Sequence, residues 1–317
     1  MATITTADGG LASQVRVHYD KTMLYVAVPE LLHGKYTTKY TIPAGEGKTI
    51  NWRRYRLLAP ATTAITEGVT PAGNSITIDS IQVSVNQFGD YVTFSDRVAV
   101  QSIDKVLNAN AKILGQQAGN TLDILLREVM VSGSQVRYSA AGGTPHVTRT
   151  AVTAADIIND LEIKRLRRAL KRQNAKTISA NGGSYYICLV HPDTMMDILA
   201  TDMYKNTSYY QKANNGFDGM VTALYGIMFI ETTNAKIFVG AGAASIDVYA
   251  SVCFGQDAIG EVDIEQLGLE TIFKALGTAG TDDPLNQRQS QGWKTTYAAA
   301  ILNEAYIIRL EHATTAG

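Results

Sequence analysis

The sequence predicts an α+β fold in which a long β-hairpin, a long helix and a run of alternating strands and helices follow one another. Three observations predict it. Two segments of alternating apolar and polar residues flank a stretch, 59–75, dominated by Ala, Thr, Gly and Pro, as the strands and tip of a hairpin would. A helical apolar stripe then persists over 102–132, longer than most helices of globular proteins. Beyond 153, helical periods alternate with short apolar runs bounded by turn residues, the pattern of strands packed under helices.

Residues 1–13 are small and polar and are expected to form a mobile arm. Apolar residues then recur (Val15, Val17, Leu24, Val26, Val28, Leu31, Leu32), which predicts a helix ending near Pro29. Ile42-Pro43-Ala44-Gly45-Glu46-Gly47 is a turn. It leads into a strand over 49–58, in which Ile50 and Trp52 are interleaved with Arg53, Arg54 and Arg56. The returning strand carries Ile76, Ile78, Ile81, Val83 and Val85, and its change of parity between Ile78 and Ile81 predicts a bulge. Between Pro60 and Ser75 the larger apolar residues are Ile65 and Val69, so the tip cannot support itself and needs a partner.

The helix over 102–132 starts at the capping residue Ser102 and carries Ile103, Val106, Leu107, Ile113, Leu114, Leu122, Leu125, Leu126 and Val129 on its stripe. It would reach roughly 45 Å. Gly115 and Gly119 sit one turn apart inside it, each costing about 1 kcal/mol against alanine, so close approach of another backbone is expected there. Ser132-Gly133 ends it, and the Gly/Ser/Thr-rich stretch 134–152 marks a lobe boundary. A second helix is expected over 153–173 with Thr153 and Asp156 as its start signal. A strand (185–190), a helix opened by Pro192, two strands (226–231 and 246–254), an extended segment (261–274) and a last strand (306–310) complete the chain.

Composition narrows the function. With 317 residues, 45% of them hydrophobic, the chain can build two compact lobes or one lobe with long extensions, and it is too apolar to be disordered. A formal net charge of −1 does not mark the whole chain as a nucleic-acid binder and suits a subunit packed against many copies of itself. Cys188 and Cys253 lie in apolar runs and read as small buried hydrophobes. Their spacing suggests neither a disulfide framework nor a zinc site, so a reducing compartment is expected. Residues 1–10 lack the apolar core of a signal peptide, and no run approaches the roughly 20 apolar residues that cross a bilayer. Folding in a cytoplasm, with no membrane partner, is expected.

The motifs point away from chemistry. Gly45-Glu46-Gly47-Lys48-Thr49 resembles the end of a phosphate-binding loop, but Ile42 stands where its first glycine belongs and a strand follows instead of a helix. Gly240-Ala241-Gly242 is a turn. None of the five histidines has a partner at metal-ligand spacing, and no nucleophile elbow exists. Glu261, Asp263 and Glu265 share one strand face, too few oxygens for calcium, so a polar face is the favoured reading. No catalytic, cofactor-binding or metal-binding residue is expected. Lys164, Arg165, Arg167, Arg168, Lys171 and Arg172 form the one strongly basic segment. A solvated or subunit-facing helix surface is the favoured reading, with contact to the genome as the alternative.

Several stretches, in order, resemble the major capsid proteins of tailed bacteriophages, in the branch typified by the coliphage N-four. They are Ile42-Pro43-Ala44-Gly45-Glu46-Gly47-Lys48-Thr49, Trp52-Arg53-Arg54-Tyr55, Thr66-Glu67-Gly68-Val69-Thr70-Pro71 and Gln87-Phe88-Gly89-Asp90-Tyr91 with Ser95-Asp96. Pro284-Leu285-Asn286-Gln287 and Gln291-Gly292-Trp293-Lys294 complete the set. The resemblance implies the shell fold shared by tailed phages and herpesviruses. On it, 1–40 would be the N-terminal arm and helix, 41–95 the extended loop, and 96–152 a peripheral domain with its spine helix. Residues 153–260 would be the axial domain and 261–317 the return to the peripheral domain. It implies self-assembly into hexamers and pentamers around double-stranded DNA held non-specifically, with a portal and, as a further candidate, a cement protein. Because only about a dozen polar residues precede the first helix, a separate scaffolding protein is expected. The loop of the family lies across a neighbouring subunit, which makes Arg53, Arg54, Arg56, Glu67 and Pro71 candidate contacts. Assembly would take place in the bacterial cytoplasm and the product would be the virion capsid. The alternatives are an encapsulin-like compartment of the same fold and, from another class, a cytosolic enzyme holding a nucleotide at Lys48 and Thr49.

Overall fold

The computed structural model describes residues 32–97, 106–141, 143–180, 182–202, 223–278 and 280–315. The expected arm, the helix ending near Pro29 and the Ser102 cap lie outside the described residues. The first strands are β1 (Thr38–Ile42), β2 (Thr49–Tyr55), β3 (Ile78–Ser84), β4 (Asn86–Ser95) and β5 (Val136–Tyr138). Then come β6 (Ile178–Ala180), β7 (Gly183–Val190), β8 (Ala223–Leu224), β9 (Ile227–Glu231) and β10 (Ile237–Phe238). The last are β11 (Val248–Phe254), β12 (Ile259–Ile264), β13 (Glu270–Lys274), β14 (Arg288–Ile301) and β15 (Ile307–His312). The α-helices are α1 (Val106–Val131), α2 (Asp160–Arg172) and α3 (Pro192–Leu199).

The larger sheet runs β5-β15-β11-β7-β9-β8, with β10 on β11 and β6 on β7. Successive side chains of a strand point to opposite faces, and here both faces are covered. Tyr186, Cys188 and Val190 of β7 pack with Ile163, Leu166 and Leu170 of α2 and Ile198 of α3. Ile187 and Leu189 pack on the other side with Leu126 and Met130 of α1. Two-sided burial is why β7 and β11 read as unbroken apolar runs, and every residue of β11 is buried.

In the smaller sheet β14 is the axis. Strand β4 pairs with it from Arg288↔Ser95 to Tyr297↔Asn86. Strands β12 and β13 pair with successive parts of it, Ile259↔Ile301 to Val262↔Ala298 and then Glu270↔Lys294 to Lys274↔Ser290. The segment 259–301 is therefore one long hairpin bent at 265–269, and β1 adds to β12 in parallel. Helix α1 has 26 residues and so spans roughly 39 Å. Its Leu114 and Ala118 pack on Trp293 of β14, while Leu126 and Met130 lie under the larger sheet, so α1 ties the two sheets together. Gly115 and Gly119 are buried, next in sequence to Leu114 and Ala118, which pack on Trp293 of β14. Ile113, expected on the stripe, is 60% exposed.

Some local expectations are corrected. The β2–β3 register is unbroken from Thr49↔Ser84 to Tyr55↔Ile78, with no bulge between Ile78 and Ile81. The change of parity marks a change of face: Ile78 joins Tyr55 on the outer side, where they are 50% and 65% exposed. Helix α2 begins at Asp160, not near Thr153. Asn159 caps it by accepting the N–H groups of Leu161 and Glu162, both at 3.0 Å. Asp156 instead ties down the preceding loop, accepting from Thr153 N at 2.7 Å and Ala141 N at 2.7 Å. The longest strand, β14, was not expected. Finally, Cys188 and Cys253 are directly opposed on β7 and β11 and form a fully buried disulfide. Their sequence separation of 65 residues gives no sign of that register.

Candidate intersubunit surfaces

Gly45 and Gly47, at φ of 92° and 89°, turn the chain out of the smaller sheet into β2. At the root of the hairpin Ile50 and Trp52 pack with Ile42, Val85 and Val262, and Trp52 meets Tyr40 edge-on at 5.3 Å. There the anchorage ends. Every residue from 53 to 78 is exposed. The exposed set includes Tyr55, Leu58, Val69, Ile76 and Ile78, with Leu57 at 99% and Ile65 at 74%. Apolar side chains at this density on a projecting segment mark a contact surface.

The charges of the hairpin are arranged unequally. Arg54 and Arg56 converge on Asp79 of the opposite strand, with Nη2–carboxylate distances of 3.2 and 2.9 Å. Hydrogen bonds from Arg56 and then Arg54 hold the Asp79 carboxyl below the usual carboxylate range. Arg53 lies on the other face, opposite Ser80, and forms no ion pair among the described residues. Glu67 and Pro71 are exposed in the tip, Glu67 within the turn closed by Val69 N–H on Thr66 O at 3.1 Å. Sequence reasoning missed Leu57, Leu58, Ile76 and Asp79. The adjacent pair Leu57-Leu58 was the available signal, since two neighbours in a strand cannot both face one core.

The basic residues surround α2, whose buried stripe is Ile163, Leu166 and Leu170. Arg165 turns back to Glu162 and to Gly143 O, and Lys164 sits 4.9 Å from the centre of the Tyr225 ring. Arg167, Arg168, Lys171 and Arg172 are exposed and form no ion pair among the described residues.

Among the described residues, chemistry is not assembled elsewhere. The loop Gly45-Glu46-Gly47 runs into strand β2, so no helix N-terminus faces it. Glu261 accepts hydrogen bonds from Thr37 and Tyr297, and Glu265 from Ala44 N–H, so the three acids of β12 and its bend are not a ligand set. No metal-binding group of His, Cys, Asp and Glu occurs among the described residues. Ser251 and His312 do meet, at 2.8 Å, as a nucleophile and base would. Both are buried, and the imidazole is also bonded to Ala313 O at 2.8 Å. Burial pushes the His312 pKa down to about 4. A fully enclosed pair with no access for a substrate is a hydrogen bond of the core.

A family model described as phage capsid protein matches residues 78–310. No curated protein matches the chain. In fold the chain is similar to the capsid of the cyanophage Pam1, at 14% identity, 90% of this chain, 93% of that chain and a TM-score of 0.68. It is similar to the capsid of the cyanophage P-SCSP1u at 15% identity, with 90% and 89% coverage and a TM-score of 0.65. A virus-like particle from Pyrococcus furiosus is matched at 11% identity, 94% and 99% coverage and a TM-score of 0.54.

Proposed function

The chain belongs to the phage capsid protein family, and from that premise we propose how it works as a shell subunit. It is a structural major capsid protein of the virion with the tailed-phage shell fold, and not an enzyme. In our reading the hairpin 49–84 is a clamp that lies across a neighbouring copy. The observation that carries this is the unbroken exposure of 53–78, which includes seven large apolar side chains. Ordering such a segment costs about 1–2 kcal/mol per residue, and only contacts outside the subunit can offset it. Arg53 and Glu67 would supply the polar contacts of the clamp, with Arg54, Arg56 and Pro71 beside them.

Copies would assemble as hexamers and pentamers, in the host cytoplasm, on a separate scaffolding protein and around a portal, with a cement protein as a further candidate partner. The shell would enclose double-stranded DNA without reading its sequence. A net charge of −1 suits that, because a genome driven in by a motor must also be let out. In this reading the clamp is joined to a peripheral unit built on β14 and α1 and an axial unit built on the larger sheet with α2 and α3, to which β5 and β15 also belong. An encapsulin-like compartment would share the fold, and the nucleic acid content of isolated particles separates the two.

The test replaces residues 60–75 by an Asn-Gly turn and co-expresses the variant with the scaffolding protein. The isolated subunit should keep its circular dichroism and thermal midpoint, while sedimenting shells should be absent. Shells as heat-stable as the parent's would overturn the clamp.

A further inference from the structure

Resting on the reading of the chain as a shell subunit, the structure points to a second intersubunit contact, which we propose is a head-to-tail junction made by the two ends of α2. At its N-terminal end lies a groove of about 460 Å³ between α2, α3 and the chain near Thr315. Apolar side chains on its walls are open to solvent: Leu161 is 42% exposed and Met196 54%. Three carboxylates line it, Asp160, Asp197 and Asp202. Asp197 is taken up by Thr315, which donates through its backbone N–H and its hydroxyl. Asp160 Oδ1 is buried without a hydrogen-bond partner among the described residues, and Asp202 is exposed.

The opposite end of the same helix has the opposite character. Arg168, Lys171 and Arg172 are exposed, and Lys176 follows just past the helix. None of them forms an ion pair among the described residues. The helix has 13 residues, so the two ends stand roughly 20 Å apart, and a subunit cannot satisfy one with the other. A second copy can. A contact that joins different patches of successive copies is heterologous, and it closes into a ring when the rotation between copies divides a full turn. Lysine and arginine suit the groove in both respects. Their aliphatic stems can lie along Leu161 and Met196 while the charged heads reach Asp160 and Asp202. The groove thus commits to one occupant, the basic end of α2 from the next copy in a capsomer.

Charge reversal tests the pairing on the full chain co-expressed with its scaffolding protein. One variant carries Asp202→Lys, a second carries Lys171→Glu with Arg172→Glu, and a third combines them. Each single set should raise the subunit concentration needed for assembly about tenfold or more, which corresponds to a loss of about 1.4 kcal/mol per subunit. The combined variant should recover most of it, a result that misfolding cannot produce. Circular dichroism melts of the isolated subunits should coincide with the parent's. If the parent assembles and either single set assembles equally well, the junction is wrong while the shell reading stands. If the basic-end variant forms normal shells that retain less DNA, the basic end faces the genome and the junction is likewise wrong. Failure of the parent itself to form particles with scaffold present would instead remove the shell reading on which the junction rests.

Discussion

The larger sheet and the hairpin both carry large apolar side chains, yet they treat them in opposite ways. Strand β11 buries all of its residues because α1 covers one face of the sheet and α2 and α3 the other. The hairpin beyond Trp52 has no covering layer, and Tyr55, Leu57, Leu58, Ile65, Val69, Ile76 and Ile78 stand in water. Burying such a side chain is worth about 1.5–3 kcal/mol. In the sheet that free energy stabilises the subunit. In the hairpin, on the clamp reading proposed above, it would be gained only when another copy arrives, and the folded subunit would hold those contacts in reserve for assembly.

The sharpest way to break the comparison is to cut the same kind of side chain from each region. Phe254 is 1% exposed in the core beneath α1, and Phe254→Ala should cost the isolated subunit about 4 kcal/mol. Leu57→Ala removes a side chain that is 99% exposed and should change subunit stability by less than about 0.5 kcal/mol while weakening assembly. Denaturant unfolding of the two variants, beside a sedimentation assay, measures both effects. Equal destabilisation of the isolated subunit would show that the hairpin belongs to the core.

The second test concerns the disulfide that stitches β7 to β11 inside that core. Removing it by Cys188→Ala with Cys253→Ala should cost about 3 kcal/mol, and the unfolded parent should titrate no free thiol without reductant. Two free thiols would return both cysteines to the role of packed hydrophobes in a reducing cytoplasm.

A third, smaller effect is set by pH. His312 titrates near 6.5 when unfolded, but burial holds it neutral down to about 4 in the fold. The unfolded chain therefore binds more protons between those values, and stability falls as pH drops through that window. By pH 5 the loss should be about 2 kcal/mol relative to pH 7.5. His312→Gln should flatten the slope there. The carboxyls of Asp123 and Asp156, held low by their hydrogen bonds, contribute their losses at lower pH. Burial raises Glu261, which works in the opposite sense and favours the fold as pH falls.

What the sequence discloses follows the same division. Strands β7, β11 and β15 and helices α1 and α3 are legible because burial on one or both faces writes a periodic or continuous apolar pattern. The tip of the hairpin, 60–75, is legible for the opposite reason, a scarcity of large apolar residues to bury. Strand β14 is not legible. Its large residues Trp293, Tyr297 and Ile301 fall at every fourth position, a spacing that fits a helix as well as alternate places on one strand face. The positions between are Lys, Thr and Ala, and those before Trp293 include Gln, Ser and Gly, whose suitability depends on partners such as Asn110 on Gln291, 181 residues apart. Register across long separations also hides the Cys188–Cys253 pair and the convergence of Arg54 and Arg56 on Asp79.

That convergence yields the smallest predicted effect and the finest division within the clamp. Three arginines stand at the neck of the hairpin, and by type alone they are equivalent donors for a neighbour's carboxylates. Their settings are not equivalent. Arg54 and Arg56 already share Asp79, so recruiting either to another subunit trades one ion pair for another. Arg53 projects from the opposite face without such a partner among the described residues, so a contact made by it is a net addition. Arg53→Gln should therefore raise the subunit concentration needed for assembly more than Arg56→Gln does, and the gap should narrow as salt screens both. Neither substitution should move the melting temperature of the isolated subunit, because surface ion pairs of this exposure contribute little to folding. Light scattering against subunit concentration, at two ionic strengths, reads the difference. An Arg56→Gln effect as large as that of Arg53→Gln would mean that Asp79 releases its arginines on assembly, and the outer face of β2 would lose its claim to the contact.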